Sequence, residues 1–240
     1  MVKIVFTPDW FLTSDVLIEI FSFLILCLFF MLAFKSYQLS KKKSVFYLGL
    51  GFFLIALAEL STILTKIILY YDTDVTHEIG KAIITYEIVK SVDIFYYLGF
   101  FLQRFLTLLG LYVIYKIPYD KKLTLDLLLS LYLIFVAALL SNSMYYFYHL
   151  TALVLLVFIS RNYYKVYRKK KIRNTRILAF AFVILALSQT IFILSKLNSL
   201  LYATAQLIQL AGYIILLILI MKIIKNGKKE KQSGDNPRHA

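Results

Sequence analysis

The chain has 240 residues, of which 61% are hydrophobic and only 17% charged, with a mean hydropathy of +0.78. That is more apolar side chain than a soluble domain of this size can bury, so a soluble globular class is excluded. The formal net charge of +14 would point to nucleic acid in a soluble protein, but cationic loops on one side of a membrane protein produce the same excess.

With 8 Gly, 3 Pro and long apolar runs, the composition favours spanning helices over a barrel of short alternating strands. Seven apolar segments follow one another at about 15–37, 44–70, 92–116, 122–140, 144–160, 176–197 and 199–221. Before the first lies an interfacial lead-in, 1–14, with Pro8 and Trp10; Asp15 is placed to cap the helix that follows. That first run is too long for the apolar core of a signal peptide and is expected to stay as a span. Cys27 lies inside it, has no partner for an intrachain disulfide, and is expected to act as a small buried hydrophobe.

Charge sets the orientation. Most of the 27 Lys and Arg fall in "KSYQLSKKK", "KIPYDKK", "RNYYKVYRKKKIRNTR" and the tail from Lys222 onward, while the connection 71–91, with "YDTDVTHE", is acidic. The positive-inside rule then puts the N-terminus outside and the C-terminus in the cytoplasm, in a cell (plasma) membrane. In the loop 161–176, Arg161, Lys165, Arg168, Lys169, Lys170, Lys171 and Arg173 interleave with tyrosines. Such a pattern suits the anionic headgroups of the lipid bilayer or a cytoplasmic protein partner, and not nucleic acid.

An internal repeat is legible. Without gaps, 51–66 aligns with 181–196, pairing Phe52/Phe182, Ala56/Ala186, Leu57/Leu187, Ile63/Ile193, Leu64/Leu194 and Lys66/Lys196, with Glu59 opposite Gln189. At the same offset "FKSYQLSK" meets "YKVYRKKK", matching Lys35/Lys165, Tyr37/Tyr167 and Lys41/Lys171. Segments three and seven pair Gly99/Ala205, Gln103/Gln209 and Lys116/Lys222 at a shorter offset. The expected fold is therefore an all-α integral membrane protein with seven transmembrane helices in a 3-1-3 parallel repeat. Its parts are the lead-in 1–14, a first triplet 15–116, a linker helix region 117–143, a second triplet 144–221 and a basic tail 222–240. This layout resembles that of the SWEET sugar-efflux proteins and of the microbial rhodopsins, in topology only. The seventh segment lacks the lysine a retinal Schiff base needs, and no segment contains a proline of the kind about which SWEET helices flex.

The polar residues inside the spans are the candidate site. A charge at the bilayer midplane costs roughly 2.5–3.5 kcal/mol on insertion scales, so Glu59 and Arg104, at similar depth on antiparallel helices, are expected to pair. Gln103, Gln189, Gln206 and Gln209 are expected to complete that polar core, which serves either as a ligand site or as interhelical packing. Lys66 and Lys196 are expected to snorkel to the outer interface, where Glu19 or Asp93 could meet a lysine; Asp126 and His149 are read as interfacial.

No HExxH, GxSxG or P-loop is present, and the three histidines, His77, His149 and His239, form no metal spacing. No enzyme, cofactor or metal is expected. The leading functional expectation is a sensor-like or partner-binding bundle with a small-molecule ligand. Behind it stand a small-solute or ion transporter, and an accessory subunit of a larger membrane complex.

Overall fold

The computed structural model describes residues 7–70, 91–117, 125–141 and 144–234. Among them a short 3-10 turn, Asp9–Phe11, leads into seven α-helices, and there is no strand. The helices are α1 (Leu12–Ser40), α2 (Lys43–Tyr70), α3 (Ser91–Lys116), α4 (Leu125–Leu140), α5 (Tyr145–Lys170), α6 (Arg173–Leu194) and α7 (Ser199–Gly234). Each grows from one apolar segment, and none contains a proline to break it. Five of them, α1, α2, α3, α6 and α7, are long and apolar enough to cross a membrane; α4 carries a shorter apolar stretch, Leu128–Leu140. Their outer faces agree with lipid as the solvent, since Leu128, Tyr132, Phe180 and Leu187 are all more than half exposed. The acidic connection 71–90 with His77 and the tail beyond Gly234 with His239 lie outside the described residues, as do the side chains of Asp93 and Asp126.

Two boundaries differ from the sequence reading. Helix α1 starts at Leu12 behind Phe11, so Asp15 sits inside its first turn and caps nothing. The basic stretch 161–176 is not a loop: α5 continues to Lys170, and only residues 171–172 separate it from α6. Polar residues with long side chains are good helix formers, so the helix leaves the apolar zone without unwinding.

The turns after α1 and α5 are the same turn. Lys41 (φ 54°) and Lys171 (φ 56°) are both left-handed, and their amides donate to Tyr37 O and Tyr167 O at 2.7 Å each. These left-handed caps close the helices, and the next helix restarts through matching bonds, Val45 N to Lys42 O (3.0 Å) and Thr175 N to Ile172 O (3.1 Å).

Helix packing follows a ring. Neighbours run α1, α2, α3, α5, α6, α7 and back to α1, while α4 lies outside and bridges α3 and α5. Exchanging α1 with α5, α2 with α6 and α3 with α7 leaves the ring's neighbour list unchanged. Near the end that carries the two short turns, aromatic rings cross the interior. Phe29 packs on Phe52 (centroids 4.2 Å apart), Phe52 stacks on Phe182 (6.1 Å, planes 8° apart), and Phe182 stacks on Tyr163 (5.8 Å). Phe52 and Phe182 are wholly buried.

Helices in lipid gain little from burying apolar surface against each other, so close backbone approach matters more. Helices α2 and α3 approach through Gly51 and Gly110: a Cβ on Gly110 would stand 2.6 Å from Gly51 O. The Gly110→Ala variant is therefore expected to lose roughly 1–3 kcal/mol of stability through overpacking. Thermal unfolding in detergent checks this, with Leu197→Ala, at a residue 80% exposed, as an unchanged control.

Candidate functional site

Inside the ring lies a cavity of about 280 Å³ to which all six ring helices contribute side chains. Along α2 its lining runs from Phe52 through Glu59 to Lys66, a length of about 21 Å at 1.5 Å per residue. The aromatic stack forms one end. The other end is charged.

At that end Asp15 and Glu19 stand one turn apart on α1, so both carboxylates leave the same face. Lys66 of α2 reaches between them, with Nζ 2.6 Å from Asp15 Oδ2 and in contact with Glu19 Oε1. The ammonium also donates to the Tyr202 hydroxyl at 3.0 Å. Tyr202 in turn faces Asp15 at 3.3 Å, and Gln206 Nε2 donates to Asp15 Oδ1 at 3.1 Å and to the Tyr202 hydroxyl at 3.2 Å. Asp15 is 0% and Lys66 1% exposed, so this is an interior ion cluster joining α1, α2 and α7. Phe11 packs with Phe192, Tyr202 and Ala205 in an apolar cluster at the same end.

Lys66 thus does not snorkel to an interface, contrary to the sequence expectation. Two carboxylates on the facing helix offer the ammonium charge-assisted bonds, which outweigh the aqueous alternative for its four-carbon stem. Lys196, without such acids opposite, is exposed.

Glu59 is held differently from the expectation as well. Its Oε1 accepts from Gln209 Nε2 (3.1 Å) and from the Tyr213 hydroxyl (3.2 Å), both on α7. Among the described residues no ion pair joins it to Arg104. Arg104 lines the cavity from α3, its guanidinium carbon 6.0 Å from the Phe100 ring centroid, near enough for its charge to act on Tyr145, Tyr148 and His149. The faces of α2 and α3 direct the two side chains to different neighbours.

The second-half residues complete the wall. His149 is buried, not interfacial: its Nδ1 lies 2.8 Å from Gln189 Oε1, and its ring stacks on Phe192. Gln103 Nε2 donates to the Tyr148 hydroxyl at 3.1 Å. Tyr145 donates to Phe192 O at 3.0 Å and shares a 2.8 Å bond with Ser195 Oγ. All six polar-core residues read from the sequence, Glu59, Arg104, Gln103, Gln189, Gln206 and Gln209, line the one cavity. Gln206, expected to join Gln209, instead serves Asp15. Sequence reasoning missed Tyr145, Tyr148, Tyr202 and Tyr213. For Tyr202 and Tyr213 the signal was position, one turn from Gln206 and Gln209 on the same helical face, and for Tyr145 it was His149 one turn on.

No protein-family model matches this chain, and neither a curated protein nor a solved structure matches it significantly. Among the described residues no group of three His, Cys, Asp or Glu is placed to hold a metal ion.

Removing Lys66 would strand two buried carboxylates. The Lys66→Met variant is expected to lose about 3–5 kcal/mol of stability, and adding Asp15→Asn and Glu19→Gln should return most of the loss. Thermal denaturation of the three proteins in detergent checks it. Equal melting of Lys66→Met and wild type would contradict the cluster.

Proposed function

We propose that this protein is a seven-helix membrane protein whose central cavity binds a small polar molecule, and that it acts without catalysis, as a sensor or partner-binding bundle. The observation that carries the reading is the cavity itself. It gathers acids, an arginine, a histidine and four glutamines from both halves of the ring, where simple packing needs only small or apolar side chains.

In this reading residues 15–116 and 144–221 are parallel repeats, with 117–143 as the linker and the acidic cluster toward the outside. Support comes from the matching turns at Lys41 and Lys171, from the exchange symmetry of the ring, and from the stacking of Phe52 on its counterpart Phe182. The aromatic stack closes the cytoplasmic end of the cavity, which favours binding and signalling over passage.

Transport of a small solute or ion is the second reading, favoured by the cavity's place between two related halves; it requires the stack to open. Flux into liposomes separates the two. An accessory-subunit role predicts neither ligand nor flux.

At the cytoplasmic face the proposed partner is anionic lipid. Between α5 and α6 an outer groove is lined by apolar residues such as Val157 and Phe180 and by Arg161 and Arg176, one arginine from each helix. That combination suits acyl chain below and phosphate above.

Native mass spectrometry of the gently solubilised protein tests both sites. A discrete small-molecule mass is expected on the wild type and is expected to disappear in Glu59→Gln, whose neutral amide still fits beside Gln209. Anionic-lipid adducts should persist in that variant and fall in Arg161→Ala with Arg176→Ala. A bare wild-type protein, or one carrying only a stoichiometric partner chain, would contradict the cavity reading and favour the accessory subunit.

A further inference from the structure

We infer that the ligand of this cavity carries an ammonium group, bound against Glu19 and Glu59; the inference rests on the cavity being a binding site. The argument is a count of charges and donors at the acidic end. Three carboxylates, Asp15, Glu19 and Glu59, stand on α1 and α2, all 9% exposed or less. Lys66 serves Asp15 and Glu19 together, so one ammonium is divided between two acids. Glu59 receives only neutral donors, and both fall on a single oxygen, Oε1. Gln206 and Tyr202, the other donors nearby, are committed to Asp15.

A second observation points the same way. Glu19 lines the cavity and is 3% exposed, and its Oε2 is buried without a hydrogen-bond partner. Buried carboxylate oxygens are rarely left so, because the lost hydration is returned only by a donor or a cation. Glu19 and Glu59 line the same cavity from neighbouring helices. What the site lacks is therefore a compact group with positive charge and more than one N–H. An ammonium supplies three donors. Two would meet Glu19 Oε2 and Glu59, and the third can meet Thr62, which lies one turn from Glu59 on α2 and lines the same cavity.

The neighbouring helix α3 defines the rest of the molecule. Arg104 brings a guanidinium to the same cavity and suits an acceptor such as a carboxylate. Acids from α1 and α2 and a guanidinium from α3 give the cavity groups of both signs. Amino acids, α or ω, are the class of small molecule that matches both ends, and the aromatic residues between them accept an aliphatic or aromatic body.

Thermal stabilisation of the purified full-length protein in an amine-free phosphate buffer tests this. The probes are the standard amino acids and 4-aminobutyrate, beside their N-acetyl derivatives, butyrate, glucose and sodium chloride. At least one free amine is expected to raise the melting temperature by roughly 3–6 °C at a tenfold excess over its Kd, while its N-acetyl derivative does nothing. That shift should vanish in Glu59→Gln and in Glu19→Gln; if Glu19→Gln fails to fold, Glu59→Gln alone carries the comparison. The inference is overturned if an N-acetyl derivative, butyrate or glucose stabilises as well as the amine, if sodium chloride alone reproduces the shift, if the shift survives in Glu59→Gln, or if no probe acts. An adduct whose accurate mass identifies a molecule without an amino group would overturn it while leaving the cavity reading intact. A bare protein would remove both.

Discussion

The shared lysine of the Asp15–Lys66–Glu19 cluster is the interaction on which the charged half of the bundle depends. In a medium of low dielectric a lone carboxylate is expensive, and two on one helical turn are more so. Lys66 offsets that cost only by lying between them, which draws α1 onto α2 and leaves its hydroxyl partner Tyr202 to bring in α7. The ring of six helices closes through this α1–α7 contact at one side and through α3–α5 at the other. At the opposite end no charged residue is buried among the described residues, and the stacked rings of Phe29, Phe52, Phe182 and Tyr163 fill the space instead. A polar clamp at one end and an aromatic stack at the other leave the cavity between them.

In the proposed repeat, the two halves of the ring meet the same positions with different chemistry. At the offset that pairs Phe52 with Phe182, Asp15 corresponds to Tyr145, Glu19 to His149, Glu59 to Gln189 and Thr65 to Ser195. The first half places acids where the second places a tyrosine, a histidine and a glutamine. Lys66 and Lys196, identical in the alignment, diverge for that reason: the first turns inward to two acids, whereas the second has only Tyr145 and His149 at the corresponding positions and stays exposed. Tyr145 bonds Ser195 and the Phe192 carbonyl, and His149 bonds Gln189, so the second half satisfies itself without a cation. The asymmetry concentrates charge on one wall of an otherwise balanced ring.

Much of this was legible in the sequence, and the failures share a cause. Apolar run length located all seven helices, because lipid demands long uninterrupted stretches and Pro8, Pro118 and Pro237 fall between or beyond them. Rarity of polar residues inside such runs singled out residues that line one cavity, from Gln103 to Gln209. Partners were a different matter. Depth along a helix can be read from residue number, but the face a residue presents to a given neighbour depends on how the helices cross. Glu59 and Arg104 share a depth and not a face, and Gln206 and Gln209, three residues apart, serve different acids. Lys66 was misread because a lysine near a helix end is usually solvated; the informative feature was the Asp15/Glu19 spacing on the facing helix. Tyrosine was undervalued throughout, although Tyr145, Tyr148, Tyr202 and Tyr213 all line the cavity.

A bundle held this way should present water to its interior and lipid to its exterior. Reaction of single cysteines with a small charged methanethiosulfonate tests it most directly, in liposomes and on a Cys27→Ser background. Thr107, on the cavity wall, and Leu187, 52% exposed on the outer face of α6, are the two positions to compare. Only a hydrated thiol ionises to the reactive thiolate. The account predicts that Thr107→Cys is modified and Leu187→Cys is not; an inert Thr107→Cys beside a reactive Leu187→Cys would contradict it.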